Sequence, residues 1–379
     1  MPVTRSRLVL FLGVVCASMS TTGWSAPVVS GISGTVADGQ QLRITGSGFG
    51  QKSPAKPFLW APFENSIAPS PLGRKTAWDT VEDTFYAAGE GYAGTGALKG
   101  GASGYANGGI VWTAGVNTTG FGFAWNDYSQ KMYLFRREKR NFNIDNTMNW
   151  KALRLWSANQ TYPNWYIATS NGSWNCEGIA EINSYPYGSY GDSVSLSRPT
   201  PGIVAARQGN GAWRTDQYIV QANSSASSAD GLWEHYVLGY GLAARIPFRD
   251  YMTHNFKIKD SSASGSAAMV MAFPAHGVLD TGYNPPAGWM IWYDDIYLDN
   301  TWARVMVGNA PKLADSTYVS IQIPSSWSDA EVGVTLNLRG IPDGEPRYLF
   351  VIDSNNSEST GYLISDGTAP LPPSNVVVD

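Results

Sequence analysis

Between about 63 and 300, strand-like apolar runs alternate with polar, turn-forming clusters and no stretch keeps a period of 3.6, so the elements predicted there are strands. The clearest runs are 130–135, 152–156, 165–168, 217–221, 233–240, 267–273 and 290–299. Shorter runs at 27–32, 42–46, 305–309, 332–336, 348–352 and 361–364 continue the pattern toward both ends. Glycine, asparagine, serine and proline cluster between the runs, which marks turns. On that basis 89–109 and 184–192 read as connecting loops. Seven or more strands between 63 and 300 fit a two-sheet sandwich, and the chain as a whole reads as all-β.

Composition agrees. There are 41 glycines, 22 prolines, 15 tryptophans and 20 tyrosines, and only 15% of residues are charged. That makeup belongs to short antiparallel strands and excludes both a charge-rich disordered chain and a helical bundle. At roughly 100–200 residues per domain, 379 residues suggest two or three domains. Thirteen of the 15 tryptophans fall between Trp60 and Trp302, so an aromatic-rich unit at 63–300 is flanked by aromatic-poor pieces at 27–62 and 301–366. Neither flank is long enough to be a comfortable domain alone. A proline-rich tail occupies 367–379.

The first 26 residues have the order of a secretory signal peptide: Arg5 and Arg7, the apolar run 8–15, then small residues. The apolar run is too short to span a bilayer, and no later one is longer. Val15 before Cys16 is the wrong residue for lipid attachment. The mature chain is therefore expected outside the cytoplasm, secreted or periplasmic, with Cys176 as its remaining cysteine and no internal disulfide. Glu177 beside that thiol does not favour reactivity. The formal charge is −4, and losing Arg5 and Arg7 makes it −6. An acidic chain of this kind argues against nucleic acid as a partner.

Short motifs give the two expected units a likeness. In the N-terminal flank, Gly46-Ser47-Gly48-Phe49 closes a strand. The C-terminal flank holds Val305-Met306-Val307-Gly308, then Trp327-Ser328-Asp329, then Val332-Gly333-Val334. Together they resemble successive pieces of an immunoglobulin-like domain of the IPT/TIG type, each flank supplying what the other lacks. In the central unit, Trp233-Glu234-His235-Tyr236-Val237 and Asp294-Asp295-Ile296-Tyr297-Leu298 resemble two strands of concanavalin A-like and LamG-like jelly rolls. The resemblance implies a jelly roll inserted into a smaller sandwich. Such jelly rolls host lectin-like modules, hydrolases and lyases alike, so the fold does not choose a function.

Candidate chemistry comes from strand faces. In 290–299, Met290, Trp292, Ile296 and Leu298 fall opposite Tyr293, Asp295, Tyr297 and Asp299. In 151–156, Leu153 and Leu155 face the core and leave Arg154 and Trp156 outward. In 233–240, Glu234, Tyr236 and Tyr240 share a face. If the outward faces belong to one sheet, Arg136, Arg154, Trp156, Glu234, Tyr236, Tyr293, Asp295 and Tyr297 floor a surface suited to sugars. Aromatic rings stack on C–H faces while planar polar groups bind hydroxyls. The run Arg136, Arg137, Glu138, Lys139, Arg140 reads either as a solvated face or as a cationic patch for an acidic glycan. A lyase acting there needs a carboxylate neutraliser, a base and an acid, for which Arg154, His235, Tyr236 and Tyr240 are candidates. Asp294, Asp295 and Asp299 are weak calcium candidates or structural acceptors. No other cofactor is implied.

The leading expectation is a secreted carbohydrate-binding or surface-attachment protein whose partner is a polysaccharide or surface glycan. The alternatives are a polysaccharide lyase acting on an acidic glycan and a structural component of an extracellular matrix or sheath.

Overall fold

A computed structural model describes residues 25–74, 80–82, 84–101, 119–129, 131–143, 150–157, 165–169, 179–181, 211–221, 231–238, 250–256, 269–279 and 288–367. Residues 1–24 of the expected leader, 368–379 of the expected proline-rich tail, Cys176 and Tyr240 lie outside these residues. The strands are β1 (Val28–Gly34), β2 (Gln41–Ser47), β3 (Leu59–Ala61), β4 (Thr80–Glu82), β5 (Thr84–Ala87), β6 (Ala97–Gly101) and β7 (Thr119–Ser129). There follow β8 (Lys131–Arg140), β9 (Trp150–Ser157), β10 (Trp165–Thr169), β11 (Ile179–Glu181), β12 (Trp213–Gln221), β13 (Gly231–Leu238), β14 (Asp250–Phe256), β15 (Met269–Leu279) and β16 (Met290–Asp299). The chain ends with β17 (Arg304–Gly308), β18 (Val319–Ile321), β19 (Ile323–Trp327), β20 (Glu331–Thr335), β21 (Arg347–Ile352) and β22 (Tyr362–Ser365). The protein is all-β. Among the described residues no helix is long and apolar enough to cross a membrane.

The two ends of the chain share a sheet of order β1-β2-β20-β19, in which Gln41 to Thr45 pair with Thr335 to Glu331. The loop after β2 meets the turn after β19. Phe49 N–H donates to the Asp329 carbonyl, the Trp327 indole donates to the Phe49 carbonyl, and Gly50 N–H donates to the Asp329 carboxylate. Gly46 is required here, because a Cβ on it would lie 2.5 Å from the buried Phe49 ring. A second sheet, β18-β17-β21-β22, packs on the first. Leu42, Ile44, Val332 and Val334 meet Val305, Val307, Leu349 and Val351 in one aliphatic core.

In the second sheet β17, β18 and the last four residues of β21 are buried on both faces, and β22 is an exposed edge. Met306, Phe350 and Ile352 point the other way into a second core with Tyr133, Phe135, Ile219 and Tyr297. Those four belong to an eight-stranded sheet of order β14-β13-β12-β8-β16-β6-β5, with β3 also paired to β16. A six-stranded sheet, β11-β10-β9-β15-β7-β4, completes the structure, its β15 lying against β8 and β16. Strand β6 falls inside 89–109, which the turn-rich sequence had marked as loop throughout. Its Ala97, Leu98 and Gly100 are buried between neighbours despite the flanking glycines.

One irregularity in β16 decides which side chains meet. Asp294 is opposite Arg137 and Tyr297 is opposite Phe135, so β16 carries an extra residue there, and Asp295 has φ 48°. This is a β-bulge with an aspartate in the left-handed region, which aspartate tolerates better than most residues. The bulge shifts the phase of the alternation by one. Trp292 and Asp294 before it, and Tyr297 and Asp299 after it, therefore lie on the same face as Phe135, Arg137 and Lys139. Tyr293 takes the opposite face, beside Arg136 and Glu138. Strict period two had placed Trp292 opposite Tyr297 and grouped Tyr293 with Tyr297, and the bulge overturns both.

Candidate functional site

The surface expected from the sequence does not assemble. Arg154 and Trp156 are on β9 in the six-stranded sheet, where Arg154 pairs with Tyr166 and Phe273. Tyr236 and Tyr297 are in the eight-stranded one. Glu234 is opposite Ile219, His235 opposite Tyr218 and Tyr236 opposite Gln217 on β13. Tyr236 is half-buried against the second core. Arg136, Tyr293, Asp295 and Tyr297 are all buried. Of the lyase candidates among the described residues, Arg154 sits on another sheet, and His235 and Tyr236 are consecutive residues of one strand.

The basic run is not a solvated face either. Arg136, Glu138 and Arg140 point to one side of β8 and meet Arg214, Asp216, Tyr218 and Tyr293. Glu138 pairs with Arg136 at 2.9 Å, Arg140 at 3.0 Å and Arg214 at 2.5 Å. The Arg136 guanidinium lies 5.2 Å from the Tyr293 ring and 5.4 Å from the Tyr218 ring. Burial pushes the Glu138 carboxyl and both phenols above their ordinary values, against the pull of the arginines. On the other side, Arg137 stacks on Tyr92 at 3.8 Å and donates to Asp295 at 2.9 Å, to the Thr215 hydroxyl and to the Val319 carbonyl of the covering sheet.

The three aspartates proposed for calcium are separately engaged. Asp294 accepts from the N–H groups of Tyr92 at 2.8 Å and Asp295 at 2.7 Å. Asp295 pairs with Arg137 and Arg339. Asp299 pairs with Lys52 at 2.7 Å and Arg74 at 3.1 Å. Lys52 is buried, also donates to the Tyr297 hydroxyl and the Ala303 carbonyl, and burial holds its ammonium below the usual lysine value. Among the described residues no three potential metal-ligating side chains converge. These contacts make the covered half of the face a set of interlayer ties.

The same face opens beyond Arg137. Register places Trp213 of β12 opposite Lys139 of β8, Lys139 opposite Trp292 of β16, and Trp292 opposite Lys99 of β6. Four neighbouring strands thus present a row that alternates ring and cation, and all four side chains are partly exposed. The Lys139 ammonium lies 4.9 Å from the Trp213 ring and 4.5 Å from the Trp292 ring, and that of Lys99 4.9 Å from Trp292. At these distances the ring faces attract the cations and hold both lysines extended along the sheet.

The hairpin loop joining β5 to β6 borders the row. Glycines at 89 and 94, with φ of 72° and 79°, let it turn tightly enough to carry Glu90 and Tyr92 over the sheet. Tyr92 meets Trp213 edge-on at 6.1 Å. Glu90 accepts from Lys99 at 2.9 and 3.1 Å and from the Trp292 indole at 2.6 Å, and its carbonyl accepts from Lys139 at 3.2 Å. The Lys99 bonds hold the Glu90 carboxyl below its ordinary range. Partial burial holds Lys139 below the usual lysine value.

Sequence reasoning missed this row. Its members come from four strands spread over nearly 200 positions, and the bulge is what returns Trp292 to the face of Lys139. The available signal was Asp294-Asp295 in mid-strand, two residues that strands disfavour.

No family model and no curated protein matches this chain. Among solved structures it is similar to a mutant of the alginate lyase Aly36B in complex with alginate tetrasaccharide, at 12% identity and a TM-score of 0.31, over 58% of this chain and 98% of that one. It is also similar to the binding domain of botulinum neurotoxin serotype C1, at 9% identity and a TM-score of 0.37, over 81% of this chain and 87% of that one.

Proposed function

We propose that this protein is an exported glycan-binding protein that holds a sugar chain on the row Trp213, Lys139, Trp292 and Lys99. In this reading a concanavalin A-like sandwich carries the row, and an immunoglobulin-type sandwich formed from both chain ends covers the same sheet face beside it. The observation that carries the proposal is the partly exposed pair of indoles on one sheet face, with donors between them. Aromatic faces take the C–H side of a pyranose, and N–H groups at the same level take its oxygens. The leader-like first 26 residues support export, the compartment where such a surface meets polysaccharide.

The test is affinity electrophoresis and pull-down of the purified chain against a panel of soluble and insoluble polysaccharides. Retention of the native chain, and its loss in Trp213→Ala/Trp292→Ala, is the expected result. Retention by the double variant would move the site elsewhere. Release of a product with unsaturated-uronate absorbance would replace binding by lyase chemistry.

A further inference from the structure

We infer that the row selects an anionic glycan, carrying carboxylate or sulfate on its rings, with the Lys139 ammonium as the anchor between two stacking surfaces. This rests on reading the row as a glycan platform. Donors outnumber free acceptors along the row. A neutral sugar presents hydroxyls, which bind best where a site offers both donors and acceptors. Here the one carboxylate bordering the row, Glu90, is occupied by Lys99 through both oxygens and by the Trp292 indole. What the row still offers is donors. Lys139 forms no ion pair among the described residues and gives one hydrogen bond, to the Glu90 carbonyl. The Trp213 indole N–H has no acceptor among them.

Charge points the same way. Lys139 and Lys99 against Glu90 leave the row at +1 in a chain whose total is −4. Asp294, the next carboxylate, is buried beneath the loop, and its oxygens already accept the Tyr92 and Asp295 N–H groups. An acceptor-only group such as carboxylate or sulfate complements this arrangement, with charge-assisted bonds about twice as strong as neutral ones. Trp213 and Trp292 are two strands apart, roughly 10 Å at the usual strand spacing. A glycan lying across the strands would therefore stack on both rings with its anionic group over Lys139.

The experiment measures binding of the full chain to a polyuronate, a sulfated polysaccharide and an uncharged polysaccharide of similar length, each at several salt concentrations. The expected result is a preference for at least one anionic polymer of about tenfold or more, weakening as salt rises. Comparing the polyuronate with the sulfated polymer identifies which anion is used. Lys139→Met keeps the aliphatic stem, and is expected to lower anionic binding about tenfold and to collapse the preference over the uncharged polymer. Arg43→Met, which removes an exposed charge from the distant outer sheet, should leave the preference intact and so exclude a bulk-charge effect. Circular dichroism confirms that both variants fold. Equal binding of charged and uncharged polymers, or an unchanged preference in Lys139→Met, overturns the inference while leaving glycan binding standing. Binding to none of the three polymers, or to others in the broader panel, overturns the platform reading itself.

Discussion

At one end of the eight-stranded sheet's face toward the small sheet, Tyr133, Phe135, Ile219 and Tyr297 lie under Met306, Phe350 and Ile352 of that covering sheet. At the other end, past Arg137, the indoles of Trp213 and Trp292 stay partly exposed with lysines between them. Both halves set aromatic rings of the sheet beside cations. What differs is the layer above. Under cover, each cation must find a carboxylate or carbonyl, since an unpaired buried charge costs several kcal/mol, and Lys52, Arg74, Arg137 and Arg339 all do so. In the open, Lys139 needs only a ring and a carbonyl, because water screens the rest. A run of ring and charge is therefore core or site according to its cover.

The largest test breaks the register that joins the two halves. Removing Asp295 abolishes the bulge and turns either the Trp292 or the Tyr297 side of β16 over, so we expect loss of more than about 5 kcal/mol of stability. Circular dichroism and soluble yield would read it, and a stably folded deletion would show that the phase shift is not needed.

Asp299→Ala is the next largest. It leaves Lys52 buried without its carboxylate, for an expected cost of about 3–5 kcal/mol in urea denaturation. A cost below about 1 kcal/mol would mean that water reaches Lys52, and that the covered half is less closed than its geometry implies.

Acid probes the open half. The folded Glu90 carboxyl lies below its ordinary value of 4.5, so its contribution is fully present above that pH and is lost as pH falls through the folded value. Trp292 fluorescence should therefore change below about pH 4.5 as the loop lets go, and Glu90→Gln should remove that transition. An acid transition unaltered by Glu90→Gln would place its origin elsewhere.

The smallest effect calibrates the rest. Arg43 pairs with Glu331 on the outer sheet, where both are exposed. Arg43→Ala should change stability by no more than about 0.5 kcal/mol. A larger loss would undo the contrast between buried and exposed arginines on which the comparison stands.

Much of the fold was legible because strand character is local. The expected runs 217–221 and 290–299 fall within β12 and β16, and 233–240 overlaps β13. The candidate site was not legible. Period two says that Arg136 and Arg137 face opposite ways, and is silent on what lies over each side. For Arg136 that proved to be Glu138, Asp216 and Tyr293, and for Arg137 a neighbouring sheet and Tyr92.

The sequence by itself determined that the chain is all-β and where most of its strands run, because backbone preference and side-chain alternation act between near neighbours. Tertiary structure alone decided which strands share a sheet, which face the small sheet covers, and that Trp213, Lys139, Trp292 and Lys99 stand in line. Those outcomes depend on pairing between distant segments and on a single inserted residue, Asp295, whose effect appears only once β8 is beside it.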